Sequence, residues 1–340
     1  MQRRSFLAPY MFSLFTLAIA LAAGGPAFAQ TDDANWTLPR TPDGQPDLQG
    51  VWANNNATPL ERPPEWAGKE RLTDEELAAL QVAAQEAVDD GDALFGDQLV
   101  LAAIQRTQAT SYDPTTGNYN QFWIADRDFN NRTSLVVDPP DGRIPEFTTS
   151  ARTRMQMLRD HRRDHPADSY TDRPLSERCV TYGVPRLGAG YNSYYQIFQS
   201  PTHVVMYHEM NHDARVIPID GTPPLDEDVR LWHGDSRGFW EGDTLVIETA
   251  NYSGEATFRG LSAENMRVTE RLTRTGPQTL EYAITIDDPT TYTRPWTASI
   301  PLMGTTDAVY EYACHEGNIG MEGILAGHRA EEREAAAGGQ

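Results

Sequence analysis

Beyond about residue 190, hydrophobic and polar residues alternate in short segments separated by turn signals. Val268, Glu270 and Leu272, for example, alternate with threonine and arginine, a period of two that is typical of a strand with one solvated face. The pattern predicts strands over residues 193–199, 203–210, 214–219, 237–241, 243–249, 266–275, 279–287, 296–303 and 308–313. Because no helical pattern separates these segments, they favour an antiparallel barrel or sandwich over a parallel sheet.

Most of the helices are expected in the first half of the chain. Thr73 and Glu76 form a capping-box pattern, and apolar residues follow at helical spacing. The sequence predicts helices over residues 73–89, 97–106, 149–162 and 319–336, and short strands over 48–52 and 134–137. We therefore expect one domain over residues 30–340, with a helical insertion at about 73–162 and a C-terminal helix at about 319–336.

The first 29 residues are predicted to be a signal peptide. Arg3 and Arg4 precede an apolar run that ends in small residues before Gln30, which is the order of a secretory signal. The paired arginines also fit a twin-arginine signal, and both export routes stay open. No later stretch has the roughly 18 apolar residues of a membrane span. We expect a periplasmic or secreted protein without such a span.

The charge balance excludes some classes of function. The chain has 28 Lys and Arg residues against 49 Asp and Glu residues, a formal net charge of −21. This disfavours a nucleic-acid partner, because phosphate binding needs clustered positive charge. Lys69 is the one lysine in the sequence, which argues against Schiff-base catalysis. Phosphate-binding glycine loops and calcium loops are absent from the sequence, so we expect no cofactor.

Cys179 and Cys314 are the two cysteines of the chain. In an oxidising compartment, two cysteines predict one disulfide bond. The alternative is a nucleophilic Cys314 activated by His315, but a side chain rarely serves as the base for its immediate neighbour. We therefore predict a disulfide between Cys179 and Cys314.

Several longer motifs resemble those of a large family of secreted bacterial proteins. They comprise Thr41-Pro42-Asp43-Gly44 through Gly50-Val51-Trp52, Arg178-Cys179, Tyr182-Gly183-Val184-Pro185-Arg186, His212-Asp213-Ala214-Arg215, Gly234-Asp235-Ser236-Arg237-Gly238, Trp240-Glu241-Gly242-Asp243 and Cys314-His315-Glu316-Gly317-Asn318. The resemblance covers nearly the whole chain after the signal. It implies secretion but carries no activity that could be transferred.

A second resemblance concerns the shape of the fold. Gly50-Val51-Trp52 is similar to the Gly-x-Trp that opens the first strand of lipocalins, and the predicted hairpins look like those of lipocalin-like domains. The helical stretch at about 73–162 departs from a plain lipocalin. The resemblance implies a mainly β fold, an antiparallel lipocalin-like barrel with added helices. It also implies a ligand cavity in the barrel mouth.

Two well-known catalytic signatures occur in settings that do not suit them. His208-Glu209-Met210-Asn211-His212 spells the zincin motif, which requires a helix, whereas strand-like segments flank it here. Gly234-Asp235-Ser236-Arg237-Gly238 spells the nucleophile elbow, which requires a following helix, whereas a strand hairpin follows here. A zinc or serine hydrolase is therefore an alternative reading, and we expect no metal.

Three other groups of polar residues combine a titratable base with a carboxylate or an arginine, as acid–base catalysis requires. We predict that His212 or His315 is the acid or base, Asp213 or Glu316 orients it, and Arg215 or Arg237 stabilises negative charge. The full set of candidate catalytic residues is His212, Asp213, Arg215, Asp235, Arg237, His315 and Glu316. The alternative for each group is a structural ion-pair network.

Aromatic residues and one arginine are candidates for a substrate-binding wall, although core packing is the alternative for the rings. These candidates are Tyr191, Tyr194, Tyr195, Trp232, Arg294 and Trp296. The leading hypothesis is an exported enzyme that acts on a small, partly apolar molecule in a barrel cavity by metal-independent acid–base chemistry. Lyase, isomerase, cyclase and hydrolase reactions stay open, as does the oligomeric state. A non-catalytic carrier of a hydrophobic ligand is the rival.

Overall fold

The computed structural model describes residues 36–89, 94, 96–107 and 124–338. The signal peptide predicted for residues 1–29 lies outside this range. Twelve strands occur in the described residues. They are β1 (Gly50–Ala53), β2 (Val136–Asp138), β3 (Tyr194–Gln199), β4 (His203–His208), β5 (Asp213–Pro218), β6 (Asp235–Glu241), β7 (Thr244–Ala250), β8 (Thr257–Phe258), β9 (Leu261–Ser262), β10 (Arg267–Gly276), β11 (Thr279–Asp287) and β12 (Trp296–Thr305).

Nine of these strands form one antiparallel sheet in the order β5-β4-β3-β1-β12-β11-β10-β7-β6. β2 adds to β12, while β8 and β9 pair separately. The sheet curls until its edge strands β5 and β6 lie side by side. Gly238 allows this approach, because an added Cβ there would lie 2.8 Å from Cγ2 of Ile219. The predicted lipocalin-like barrel with added helices is therefore confirmed as an antiparallel sheet that is nearly closed into a barrel.

Strand alternation fills the inside of this barrel with side chains. Along β4, β10 and β11, every second residue is buried, as the period-two pattern requires. Trp296, Tyr252 and Tyr282 are the largest of the fully buried side chains. Burying each Leu or Ile side chain contributes about 1.5–3 kcal/mol, so this core accounts for much of the stability. The interior is a packed core along most of the barrel.

Four α-helices lie outside the sheet within the described residues. They are α1 (Asp74–Asp89), α2 (Gln98–Gln105), α3 (Thr149–Asp164) and α4 (Ile319–Gly338), which confirms the four predicted helices. The capping box of α1 is also present, because the Thr73 Oγ1 accepts from the Glu76 amide at 3.2 Å and Glu76 Oε2 accepts from the Thr73 amide at 2.9 Å. None of the helices in the described residues is long and apolar enough to cross a membrane.

Two parts of the strand prediction fail. The strand predicted over residues 308–313 is wrong, because this segment is non-repetitive chain that lacks a buried apolar face to pack against the sheet. The strand predicted to reach residue 210 ends at His208, since Asn211 and His212 adopt positive φ angles of 63° and 42° and reverse the chain. The segment between His208 and Asp213 is thus the turn between β4 and β5.

The disulfide prediction is confirmed. Cys179 and Cys314 are bonded, with their Cα atoms 5.6 Å apart across 135 residues of sequence. The bond ties the chain before β3 to the segment that leads into α4. Asn318 supports the same junction, since its side-chain amide donates to the Glu177 carbonyl at 3.0 Å. A nucleophilic role for Cys314 is thereby excluded in this oxidised state.

Candidate functional site

A narrow recess opens at one end of the barrel, where polar side chains replace apolar ones on the inward face. Its volume is about 20 Å³, which is room for about one water-sized group. The loop Gly183–Arg186 forms its outer wall. The remaining lining residues project from β3, β4, β5 and β11 and are Tyr195, Met206, His208, Asp213, Arg215 and Tyr282.

His208 is the last residue of β4 and follows Val204 and Met206 on the inward face. It is 8% exposed, and its Nδ1 lies 3.3 Å from the Met210 carbonyl oxygen. Because a carbonyl oxygen only accepts, this contact places the proton of the neutral ring on Nδ1. The buried Nε2 atom has no hydrogen-bond partner. His208 therefore presents an unused acceptor at the recess.

The surroundings of His208 keep its ring neutral. Burial and then the Arg186 cation lower the pKa of His208 to about 3, while the hydrogen bond to the Met210 carbonyl works in the opposite direction. The Tyr195 ring lies edge-on to the imidazole, with the ring centres 4.6 Å apart. These contacts hold the ring in one orientation. A neutral, oriented imidazole with a free lone pair can accept a proton or a hydrogen bond.

Arg186 supplies a positive charge beside this imidazole. Its guanidinium lies over the Tyr182 ring, 5.2 Å from the ring centre, and its Nε is buried without a hydrogen-bond partner. In the described part of the chain, no carboxylate lies within ion-pairing distance of Arg186. Burial lowers the pKa of Arg186, but an arginine stays protonated in proteins. Arg186 is therefore a cation of the recess without a direct ion pair, although the Asp213 carboxylate acts on it from a longer distance.

A buried ion pair forms the floor of the recess. Arg215 donates two hydrogen bonds of 2.7 Å to the Glu270 carboxylate, and the Tyr282 hydroxyl donates a third. Burial disfavours the charge of Arg215, but the attraction of Glu270 outweighs it and raises the pKa of Arg215. Burial and the Glu270 charge raise the pKa of Tyr282. This predicted catalytic arginine is thus neutralised by a carboxylate and serves as a rigid support.

Asp213 lies directly opposite His208 in the pairing of β4 with β5. The Thr181 hydroxyl donates to Asp213 Oδ2 at 3.0 Å and lies 2.9 Å from Nε2 of His233. His233 Nε2 also lies 3.3 Å from the same carboxylate oxygen. Asp213 therefore borders the recess, as a member of a hydrogen-bonded group rather than as the partner that orients His212.

The other predicted catalytic residues lie outside the recess lining. The His212 side chain is exposed, and its Nδ1 lies 2.9 Å from the Tyr312 carbonyl oxygen. Asp235 and Arg237 lie at the start of β6 and not in a loop, as had been predicted. They follow the turn at Gly234, and both pair with residues of β7. The Arg237 guanidinium forms an ion pair with the Asp235 carboxylate, and its Nε and Nη2 atoms donate to backbone carbonyls of the segment before β6.

The third predicted group is separate as well. His315 and Glu316 are exposed in the turn after Cys314. The three groups therefore do not meet in the recess, and only the first contributes, through Asp213 and Arg215. The reason lies in the topology, because motifs that are similar in composition occur at different edges of the same sheet.

The predicted substrate-binding residues are also divided. Tyr195 lines the recess, and Tyr194 is half-buried nearby on β3, with its hydroxyl donating to Asp307 at 3.2 Å. Trp296 is a core residue with no exposed surface rather than a cavity wall. The others are not part of the recess lining. Arg294 pairs with Asp138, Trp232 is 39% exposed, and Tyr191 is half-buried in the turn before β3.

Neither catalytic signature adopts its active geometry. The zincin-like motif is the end of a strand and a turn, and both of its histidines use Nδ1 toward backbone carbonyls. Ser236, in the elbow-like motif, lies inside β6 with its Oγ 2.9 Å from Oγ1 of Thr249 on β7. A serine in a regular strand pair is not raised on a turn. The structure therefore supports neither the zinc site nor the serine nucleophile.

One group of side chains elsewhere in the described residues has the composition of a metal site. Ligand atoms of Asp168, His328 and Glu332 lie within 4.8 Å of one another. Arg329 already binds Glu332, with Nε 2.7 Å from Oε2. These contacts connect α4 to the segment after α3, so the group is accounted for as an ion-pair cluster that anchors the C-terminal helix.

The sequence analysis missed several residues of the recess. Glu270 shares its face of β10 with Val268 and Leu272, so a carboxylate at a core position was the available signal. Arg186 was noted only within the loop motif, and His208 only as a zinc ligand. Their proximity depends on the pairing of distant strands, which local patterns do not reveal.

Comparisons with known proteins do not add a function. No protein-family model, no curated protein and no solved structure matches the chain. The geometry of the recess is therefore the basis for a functional proposal.

Proposed function

We propose that this protein is an exported enzyme that acts on a small, partly apolar molecule at the recess by acid–base chemistry. The observation that supports the proposal is the buried Nε2 of His208, which has no hydrogen-bond partner and belongs to a residue that lines the recess. A buried polar atom without a partner is unfavourable by about 1–3 kcal/mol, so its retention points to a ligand. His208 takes the role predicted for His212 or His315.

The geometry suits proton transfer at a single small group. A hydroxyl or a water molecule that enters the recess can donate to Nε2, while the Met210 carbonyl holds the other side of the ring. Arg186 can hold a polar group of the substrate beside the imidazole. The larger part of the molecule lies outside, over the loop Gly183–Arg186. Lyase, isomerase, cyclase and hydrolase reactions can each use a base that accepts a proton in this way, so the reaction class stays open.

The carrier hypothesis has less support. A carrier of a hydrophobic ligand needs a cavity of several hundred Å³ inside the barrel. The recess holds about 20 Å³, and side chains such as Tyr252 and Tyr282 fill the interior below it. A wider cavity of about 340 Å³ lies beside β6, β7 and β10, but charged residues such as Asp235, Arg237 and Glu248 line it and do not suit a hydrophobic ligand.

The experiment compares two histidines that lie four residues apart. Wild-type protein, His208→Asn and His212→Asn are incubated with a library of small, partly apolar molecules, and conversion is followed by mass spectrometry. Asparagine keeps a donor near the position of Nδ1 but removes the Nε2 acceptor. We expect His208→Asn to lower turnover by at least a hundredfold.

His212→Asn is the matched control and is expected to keep wild-type turnover. Circular dichroism confirms that both variants are folded. Equal losses in the two variants, or a loss in His212→Asn alone, would contradict the assignment of His208. Return of every library member unchanged by the wild-type protein would contradict catalysis.

A further inference from the structure

Arg186 differs from the other arginines around this end of the barrel. Arg215 is neutralised by Glu270 at 2.7 Å, and Arg237 is paired with Asp235. Arg186 has no carboxylate within ion-pairing distance among the described residues, and its Nε is buried without a partner. A partly desolvated cation without a direct ion pair attracts an anion. This contrast is notable in a chain with a net charge of −21.

We infer that the recess recognises a monocarboxylate with a planar apolar body, the carboxylate on the Arg186 guanidinium and the body against the Tyr182 ring. The inference deepens the proposed function and rests on it for the reaction. A guanidinium presents two parallel N–H donors that match a carboxylate, which gives both strength and orientation. The reacting group then enters the recess next to His208.

The rim beside Arg186 carries the apolar surface that this ligand needs. Tyr182 is 42% exposed, and its ring meets the Tyr312 ring edge to face with the centres 6.1 Å apart. Their hydroxyls lie 3.3 Å apart, which fixes both rings. An exposed, rigid pair of rings is a suitable surface for stacking a planar ligand. Tyr182 also contacts the Arg186 guanidinium, so the group that binds the carboxylate lies next to the ring that stacks on the planar body of the ligand.

The charge around the recess limits the negative charge that a ligand can carry. Arg186 has no ion-pair partner among the described residues, whereas Arg215 is paired with Glu270. Asp213 lines the same recess, acts on Arg186 from beyond ion-pairing distance and repels negative charge on the ligand. A monocarboxylate bound directly to the guanidinium therefore suits the site better than a phosphate ester or a dicarboxylate, which the Asp213 carboxylate repels more strongly.

Binding of a carboxylate also has a consequence for His208. The Arg186 cation is one of the causes that lower the pKa of His208. A bound carboxylate offsets that cation, so the imidazole becomes easier to protonate. The ligand would therefore bring the base closer to its working range. This effect gives a readout that a purely structural Arg186 would not produce.

The test measures binding of 2-naphthoate, 2-naphthamide and acetate to the folded, signal-free chain by isothermal titration calorimetry. The amide keeps the planar body without the charge, and acetate keeps the charge without the body. We expect 2-naphthoate to bind at least tenfold more tightly than either one. Equal affinity for 2-naphthoate and 2-naphthamide would overturn the inference.

Two variants locate the binding. Arg186→Gln is expected to weaken 2-naphthoate binding at least tenfold, while Arg271→Gln serves as the control because Arg271 pairs with Glu241 on the outer surface. Unchanged binding by Arg186→Gln refutes the assignment. If Arg186→Gln does not fold, proton NMR of His208 in the wild-type protein tests whether 2-naphthoate binds at the recess. Saturating 2-naphthoate at pH 7 should shift the His208 ring-proton resonances, and unchanged resonances refute the inference.

These measurements separate the inference from the proposed function, because binding does not require turnover. Tight 2-naphthoate binding through Arg186, with no conversion of any library carboxylate, supports the inference and contradicts catalysis. Conversion of neutral library members that depends on His208, together with equal binding of 2-naphthoate and 2-naphthamide, supports catalysis and overturns the carboxylate preference.

Discussion

The buried His208 imidazole makes the stability of the protein depend on pH in a calculable way. Burial and the facing Arg186 and Arg215 cations, with His233, lower its pKa from 6.5 to about 3. In the unfolded chain the same group titrates near 6.5. Between these two values the unfolded chain binds a proton that the folded chain excludes. The contribution of His208 to the free energy of unfolding is therefore fully present above pH 6.5 and is lost as the pH falls toward 3.

The magnitude follows from the two pKa values. Lowering the pH from 7 to 5 protonates this histidine almost completely in the unfolded chain and hardly at all in the folded one. The linkage relation then gives a loss of about 2 kcal/mol in the free energy of unfolding from His208 alone. This is a large part of a typical domain stability of about 5–15 kcal/mol.

The assay is urea unfolding at pH 7, 6 and 5, followed by tryptophan fluorescence. Wild-type protein is compared with His208→Asn, which cannot titrate at this position, and with His212→Asn as the control. The wild type and the control should lose about 2 kcal/mol more than His208→Asn between pH 7 and pH 5. The same pH dependence in all three proteins would refute the buried, neutral state of His208.

Three further predictions concern the parts that hold the recess and the C-terminal helix in place. Glu270→Gln leaves a buried guanidinium without its counter-ion, so the free energy of unfolding should fall by about 3–5 kcal/mol in urea denaturation, and a loss below about 1 kcal/mol would contradict the buried pair. Cys314→Ser opens a long covalent loop and should lower the unfolding free energy by up to about 5 kcal/mol in the chain-entropy model, measured without reductant; an unchanged midpoint would show that the bond contributes nothing. The hydrogen bond to Asp168 raises the pKa of His165. The contribution of this contact to the free energy of unfolding is therefore present below pH 6.5 and is lost as the pH rises through the raised pKa. NMR titration should find this pKa lowered in Asp168→Asn, and an unaltered value would exclude the contact.

Local patterns in the sequence predicted the four α-helices and most of the strands of this fold. Strand alternation and turn dipeptides record short-range physics, since neighbouring side chains on a strand point to opposite faces. The capping box at Thr73 and Glu76 is likewise a local contact, and it predicted the start of α1. The segment over 308–313 shows the limit of this reasoning, because alternation without a sheet to pack against does not make a strand.

The residues of the recess occur in recognisable motifs of the sequence, but their proximity could not be predicted from those motifs. The motif from His208 to His212 was recognised, and its strand-like flanks argued against a zinc site, but the flanks did not show which histidine faces inward. The structure makes it a turn between two strands, which directs His208 inward and leaves His212 exposed. Which of two similar histidines is buried depends on the register of β4 against β5, a property of the pair and not of either strand.

The amino-acid sequence by itself determined the classes of element, the disulfide pair and the acidic character of the chain. Only the tertiary structure brought Arg186 beside His208, and matched Arg215 with a glutamate 55 residues further along the chain. The physical reason is that strand patterning acts over a few residues, whereas a recess is assembled by closing long loops in three dimensions. Closure of the barrel decides which charges are paired, as Arg215 is with Glu270, and which charges, such as that of Arg186, have no ion-pair partner among the described residues.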